Sequence, residues 1–287
     1  MGDKKIKVTV VGAGGKMGTR VTNNLAKHSD RIELRFCENS PNGIAGIKSR
    51  GFEVTPTEKA VPQADVVVLA VPDTLIKTVS KGIVDLMSPN SALIILDPAA
   101  AVAKELALRD DCTFSVTHPC HPSYFLDQDT PEARNDRFGG MGGKQDIVMA
   151  KIQGSDEKFE QTRRVSELMF EPVLHSYVMD SRQIAFLEPT LVELLGATCL
   201  YAMAETVNEA ERRGIKREAA ISFLTGHIYN LTANFLGLLN AKVSDACLVA
   251  IGLGNKLVLR EDWKKIWNDD VLDKVIATML HPENPKI

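Results

Sequence analysis

The stretch that decides the fold is Lys5–Lys27, KIKVTVVGAGGKMGTRVTNNLAK. Lys5–Val11 is a β-branched run of the kind that forms a strand, and from Met17 to Lys27 the apolar residues recur at helical spacing. Between them Gly12-Ala13-Gly14-Gly15-Lys16-Met17-Gly18 makes the turn from strand to helix. Glycine there lets the backbone approach a pyrophosphate, while the following helix offers unpaired N–H groups and the positive end of its dipole. The spacing reads as GxxGxxG through Gly12, Gly15 and Gly18, because Met17 stands where GxGxxG needs its last glycine. All seven residues are therefore expected to cradle a dinucleotide.

Working outward, the next strand, Ile32–Cys37, ends at Glu38, twenty residues beyond Gly18. An acid at that place accepts hydrogen bonds from the adenosine ribose hydroxyls and repels a 2′-phosphate, so the expected cofactor is NAD rather than NADP. Lys16 and Arg20 would soften that preference, and the alternative reading is that Glu38 only ends a strand in solvent. The alternation continues through helical Gly43–Arg50, extended Phe52–Val54, the apolar run Val66–Val71, and strands Ala92–Leu96 and Thr113–Val116 around a helical Ala101–Leu108. Continuous apolar strands are buried on both faces, which predicts a mostly parallel sheet. Val71-Pro72-Asp73 and Asp97-Pro98 each follow a strand at its carboxyl edge. Val71 and Pro72 are taken as cofactor contacts, with helix-starting turns as the competing reading for both segments.

The glycine-rich segment Pro119–Lys144 is long and weakly periodic, as functional loops are. Asp146–Ile152, Asp156–Phe170 and Pro172–Val178 then read as a strand-helix-strand extension of the same sheet. After Asp180 only helical periodicity remains, and its first helix stops at Arg212-Arg213-Gly214, with basic residues in the last turn and glycine at the cap. The expected architecture is α/β: a Rossmann-like, mostly parallel dinucleotide-binding domain over 1–180 and an all-helical substrate and dimerisation domain over 181–287.

Composition narrows the function. With 287 residues, 44% hydrophobic and 25% charged, and a net charge of -3, the chain has the make-up of a globular protein with no general attraction to nucleic acid or anionic membrane. Its five cysteines form no CxxC pair, and no leader-like segment precedes the first strand, so the expectation is a cytoplasmic protein with reduced thiols. Ile184–Ala204 is long enough to span a bilayer but is interrupted by Glu188, Pro189 and Glu193, and reads as a buried core helix. A helix apolar on every side needs cover on every side, which predicts a homodimer.

His118-Pro119-Cys120-His121-Pro122 follows a strand, so both imidazoles are expected at the cofactor's edge of the sheet, able to relay a proton or to bind a divalent metal. Cys120, between prolines, is more simply a filler than a nucleophile. Glu188 and Glu193 are the only acids in their apolar segment and stand about 140° apart on a helix, so they need not serve one site. Glu188 is the preferred candidate, because Pro189 either starts the helix there or frees a backbone carbonyl; the competing role is that of an N-terminal acid favoured by the helix dipole. Lys144 and Gln145 close the loop, where they either hold a substrate carboxylate or lie exposed. His227 either enters the cleft or is a satisfied core histidine.

VGAGGKMGTRVTNNL, ADVVVLAVPD, ILDPAAA, THPCHPSYF, GGKQDIV, LEPTLVELLGATC and FLTGHI together resemble the D-apionate oxidoisomerase family, whose helical domain is similar to that of phosphogluconate dehydrogenases. The resemblance covers almost the whole chain; the HPCHP and LEP elements are its most specific parts. It implies an NAD-dependent oxidation of the 2-hydroxyl of D-apionate, followed by migration of a hydroxymethyl group from C3 to C2 to give 3-oxo-isoapionate. That second step is similar to the ketol rearrangement of acetohydroxy acid isomeroreductases, where a divalent metal polarises ketone and alkoxide. On this reading His118, His121 and Glu188 are metal ligands, and they join Lys144 as the catalytic set. Two alternatives stand beside it. One is a plain hydroxy acid dehydrogenase without rearrangement, although no lysine opens the long helix as in β-hydroxyacid dehydrogenases. The other is a dinucleotide sensor, which would need no imidazoles or acid in its cleft.

Overall fold

The computed structural model describes residues 4–283. Its sheet has seven strands in the order β2-β1-β3-β4-β5-β6-β7. In chain order the elements are β1 (Ile6–Val11), α1 (Lys16–Ala26), β2 (Ile32–Cys37), α2 (Pro41–Ser49), α3 (Thr57–Ala60), β3 (Val66–Leu69), α4 (Asp73–Val84), β4 (Ala92–Ile95), α5 (Ala99–Val102) and β5 (Thr113–Pro119). There follow α6 (Pro131–Asn135), β6 (Gln145–Gln153), α7 (Asp156–Met169), β7 (Val173–Val178) and α8 (Ser181–Ala185). All strand pairs are parallel except β5 with β6. This is the Rossmann-like sheet that the apolar runs imply, with β6-α7-β7 as its strand-helix-strand extension.

The strands are apolar throughout because both faces are covered. Val8, Val10, Val66, Val68, Ala92, Ile94, Ile147 and Met149 point to one core with Val21 and Leu25 of α1 and Phe159, Val165 and Met169 of α7. The intervening Val67, Leu69, Leu93 and Ile95 are buried as well, as are Ile76 and Ile83 of α4. The chain leaves β1 for β2 on one side and returns to β3 on the other. The carboxyl edge at β1 is therefore the switch point where open α/β sheets take their ligands.

Two local readings change. Helix α2 begins two residues before Gly43, because Pro41 sits at its start and the Ser40 hydroxyl accepts the Gly43 N–H. The helix expected over Ala101–Leu108 is the single turn α5: Lys104 takes a left-handed backbone with φ 58°, and the Glu105 and Leu106 amides turn back to the Ala100 carbonyl.

The chain resolves into two compact units: residues through Ala185 with those from Asp273 onward, and Phe186–Leu272. The second contains a π-helical stretch Phe186–Ala197, α9 (Thr198–Arg212), α10 (Arg217–Phe235), α11 (Asp245–Leu257), a short turn Trp263–Trp267 and the start of α12 (Asp269–Leu280). Pro189 lies inside the π-helical stretch; it cannot donate the α-helical hydrogen bond, so the backbone widens there. α9 closes at Arg212, and Gly214 follows with φ 83°.

The buried-helix expectation for Ile184–Ala204 does not hold within one chain. Ile184 and Ala185 are fully buried, but Leu191, Val192, Leu200 and Tyr201 are exposed, and so is Glu193. By length and composition the continuous helix Ser181–Arg212 is apolar enough to cross a membrane, with 22% of its most apolar window buried. No residue of α11 is buried.

Candidate active site

The glycine turn is built by close approaches that a side chain would prevent. The Gly12 and Ala13 amides both donate to the Cys37 carbonyl, at 2.9 and 3.1 Å, tying the turn to the end of β2. Gly12 has φ 81°, and a Cβ there would sit 2.5 Å from the Ala70 carbonyl oxygen. A Cβ on Gly18 would lie 2.0 Å from the Gly12 oxygen, so α1 reaches the turn only because position 18 is glycine. The N-terminus of α1 has no side-chain cap and no acid in its first turn. The first-turn amides of Lys16, Met17 and Gly18 have no partner within the helix, which leaves an anion site at the switch point.

Glu38 faces this turn. Its Oε2 accepts the Gly14 N–H at 2.9 Å, and its Oε1 accepts those of Asn39 and Ser40, both at 2.9 Å. Burial pulls its pKa upward, but the Ser40, Gly14 and Asn39 amides and the Ser40 hydroxyl outweigh that and hold it below the ordinary value. The carboxylate is thus fixed and charged beside the turn. Arg20 points elsewhere: its guanidinium bonds Gln145 at the start of β6, so it does not face the adenosine end of the site. Val71 lies against Gly12, and Pro72 precedes the first turn of α4.

At the end of β5 the two imidazoles are locked. His118 Nδ1 donates to the Leu96 carbonyl at 2.8 Å, and His121 Nδ1 to the Phe138 carbonyl at 3.1 Å. Carbonyls only accept, so each ring carries its proton on Nδ1 and its lone pair on Nε2. This is the tautomer of a metal-binding or proton-accepting histidine oriented by its backbone partner. The ring centroids stand 6.2 Å apart. Burial lowers the pKa of both, against the Leu96 bond and Asp97 at His118 and the Phe138 bond at His121, so both are neutral at neutral pH. His121 has φ 63°, a left-handed backbone rare outside glycine and strained for a residue that precedes proline. Strain of this kind gathers at functional positions.

Asp97 and His118 each offer a ligand atom within 4.8 Å of the other. Asp97 is buried, and its Oδ1 accepts the Ala99 N–H at 2.7 Å. The turn-starting role read from Asp97-Pro98 is therefore real, but it also brings a carboxylate to the imidazole. A carboxylate and a neutral imidazole suit a divalent cation. Glu188, in the second unit, is half-buried on the π-helical stretch.

The other candidates are distributed differently. The Lys144 ammonium pairs with Asp129 at 2.5 Å, while its backbone N–H and carbonyl are both held by Gln128. Gln145 is fully buried rather than exposed, bonding Arg20 and the Phe170 carbonyl. His227 is exposed on α10, its Nδ1 on the Phe223 carbonyl and its ring stacked on Phe223 at 4.1 Å, so it is not a core histidine. Cys120 is accessible, but burial and then Asp146 push its thiol up to about 11, which leaves it a filler. The sequence reading missed Asp136, which is buried and accepts the Met141 and Gly143 amides to shape the glycine-rich loop. Its only signal was an acid among glycines.

Fold and site together define a dinucleotide-dependent oxidoreductase of the Rossmann class, with a pair of oriented imidazoles at the carboxyl edge of its sheet. Residues 2–122 match the acetohydroxy acid isomeroreductase NADPH-binding domain, and residues 126–280 the C-terminal domain of decarboxylating phosphogluconate dehydrogenase. The chain is 69% identical to the D-apionate oxidoisomerase of Blautia hydrogenotrophica over 99% of both chains, and 43% identical to that of Pectobacterium atrosepticum over 95% of both. A semialdehyde dehydrogenase NAD-binding protein from Cupriavidus necator, solved with calcium and NAD, superposes with a TM-score of 0.92 at 39% identity, covering 96% of this chain and all of that one. The chain belongs to the D-apionate oxidoisomerase family. A ketol-acid reductoisomerase shares its fold at a TM-score of 0.72 and 17% identity.

Proposed function

We propose that this chain oxidises the 2-hydroxyl of D-apionate with NAD and then rearranges the product to 3-oxo-isoapionate. The observation that carries the reading is the pair of Nδ1-protonated imidazoles, one beside Asp97, at the same sheet edge as the glycine turn. The relatives' names and the NAD and calcium of the Cupriavidus structure support it. NAD is favoured over NADP because the fixed Glu38 carboxylate accepts ribose hydroxyls and repels a 2′-phosphate.

The domain over 1–180 would hold the cofactor through Gly12–Gly18, Glu38, Val71 and Pro72. Bound there, NAD supplies the hydride acceptor. His121 is assigned the proton of the 2-hydroxyl as the C2 hydride departs to NAD, and releases it to solvent; it then takes the proton of the tertiary C3 hydroxyl and returns it to the C2 oxygen. As the C3 oxygen closes to a carbonyl, the hydroxymethyl group takes its bonding pair from C3 to C2. The C2 oxygen ends as a hydroxyl, so this step involves no net oxidation. His118 with Asp97 would hold a divalent cation, which would supply polarisation of the substrate's ketone and hydroxyl oxygens, and Glu188 is kept as a ligand candidate on its own unit. His121 is kept as a further ligand candidate. Lys144 is assigned the loop mouth, as a cation for an acidic substrate.

The segment 181–287 is proposed to bind substrate and to pair two copies of the chain. Its exposed Leu200, Tyr201, Phe223 and Leu253 support this, since such a face needs cover. A cytoplasmic location is proposed as well, supported by five cysteines that form no CxxC pair.

The test is product analysis with purified protein, NAD and D-apionate. The expected result is NADH together with 3-oxo-isoapionate by NMR. An unrearranged 2-keto acid would establish the plain dehydrogenase instead, and no NADH would remove the reading altogether. Alanine at His118 or His121 should abolish turnover while NAD binding persists; sedimentation as a monomer at micromolar concentration would remove the dimer.

A further inference from the structure

Arg20 is a charged side chain placed where charge is costly. It is 9% exposed, and among the described residues no ion pair includes it. Its Nη2 donates to Gln145 Oε1 at 3.1 Å, its Nη1 reaches only the Met17 sulfur at 3.9 Å, and its buried Nε has no partner. The guanidinium also lies over the Phe170 ring, 5.5 Å from its centroid. Asp136 is the acid whose field it feels, and Asp136 Oδ2 is already engaged by the Met141 and Gly143 amides. Burial lowers the Arg20 pKa to about 10, which still leaves it charged at neutral pH.

The loop above it is made to cover it. Gly139 and Gly140 have φ of 74° and 105°. A Cβ at Gly139 would lie 2.5 Å from Arg20 Nη2, and one at Gly140 2.8 Å from Arg20 Cγ. Both backbone conformations favour glycine, and a Cβ at either position would press on the Arg20 side chain. A buried charge is costly unless it is paired, and an anion reaching the unpartnered Nε would pair it.

Position selects the anion. Arg20 lies more than a turn into α1, beyond the first-turn amides that suit a pyrophosphate. Its charge acts on both His118 and His121. A hydroxy acid with its carbinol at those imidazoles has its carboxylate one bond further on.

We propose that Arg20 binds the carboxylate of the substrate, so that the enzyme selects 2-hydroxy acids over uncharged polyols through a guanidinium supplied by the cofactor-binding helix. The proposal rests on the sugar-acid reading above and adds to Lys144 at the loop mouth a second, buried cation that holds the carboxylate itself.

The experiment compares wild type, Arg20→Gln and Arg20→Lys with two probes, D-apionate and its neutral amide, by calorimetric binding to the NADH-loaded protein and, where turnover occurs, by KM. NAD affinity is measured separately. Wild type should prefer the carboxylate. Arg20→Gln should lose about 10- to 100-fold in affinity for apionate with little change for the amide or for NAD. Arg20→Lys, which keeps the charge without the planar fork, should fall between. Unchanged discrimination in Arg20→Gln overturns the proposal. So does weaker NAD binding with unchanged apionate binding, which would place a cofactor phosphate on Arg20. If Arg20→Gln fails to fold, Arg20→Lys decides by the same ratio. A wild type that binds apionate but yields no NADH sinks the oxidoisomerase reading, while the carboxylate-to-amide ratio still tests Arg20.

Discussion

Replacing Glu38 by glutamine tests the cofactor site and the stability of its turn in one variant. The native carboxylate accepts three amides, with Oε2 on Gly14 and Oε1 on Asn39 and Ser40. Glutamine has one acceptor oxygen, so if that oxygen keeps Asn39 and Ser40, its NH2 meets the Gly14 N–H donor to donor. A hydrogen bond to a charged group contributes about 1.5–3 kcal/mol when buried. Glu38 is only part-buried, so a loss of about 1–2 kcal/mol is expected, lowering Tm by about 2–6 °C for a chain of this size. The pH dependence has a definite sign. The folded pKa lies below the ordinary value, so the carboxylate's contribution is complete above the unfolded pKa of about 4.3 and is lost as pH falls through the folded pKa. The Tm gap between wild type and Glu38→Gln should thus be full at pH 7 and close only as the pH falls below the ordinary carboxylate range, through the lowered folded pKa. Removing the charge also removes its repulsion of a 2′-phosphate, and the preference for NAD over NADP should drop by about 10- to 100-fold in calorimetric Kd. Thermal melts across pH and paired titrations check both parts. A Tm gap that does not vary with pH would refute the hydrogen-bond reasoning, and an unchanged Kd ratio would refute the assignment of Glu38 to the ribose.

Gly18→Ala should abolish detectable NAD binding in calorimetry or raise Kd more than about 100-fold, because a Cβ 2.0 Å from the Gly12 oxygen forces two backbones apart. Gly46→Ala is the control: nothing lies within 4 Å of its Cβ, so NAD affinity should hold and stability should rise by about 0.5–1 kcal/mol. Cys120, with its thiol near 11, should alkylate at pH 8 about 100-fold more slowly than a small-molecule thiol of ordinary pKa, as followed by peptide mass spectrometry. Rapid modification there would contradict the electrostatics described around it.

Legibility in the sequence followed the range of the interactions involved. The strands, α1, the glycine turn and Glu38 were readable because a dinucleotide site at β1 is encoded within about forty consecutive residues, by periodicity and by the need for backbone approach. The helix misplaced at Ala101–Leu108 failed on one backbone conformation, at Lys104, which side-chain patterning does not report. The exposure of Leu191, Val192 and Glu193 was not readable either, since an apolar stripe looks the same whether its cover comes from its own chain or from another.

By itself the sequence determined that a phosphate-binding turn lies between the first strand and helix, that an acid stands at the end of the second strand, and that two histidines follow a later one. Each is a local matter of residue type and spacing along the backbone. Only the tertiary structure decided what these groups face. It brought the Leu96 and Phe138 carbonyls to the two imidazoles, setting their tautomers, and placed Asp97 within ligand range of His118. It also turned Arg20 away from Glu38 to Gln145, 125 residues on, beneath two glycines. The reason is that tautomer, charge state and ligand geometry depend on partners remote in sequence, which meet only when the sheet orders its strands.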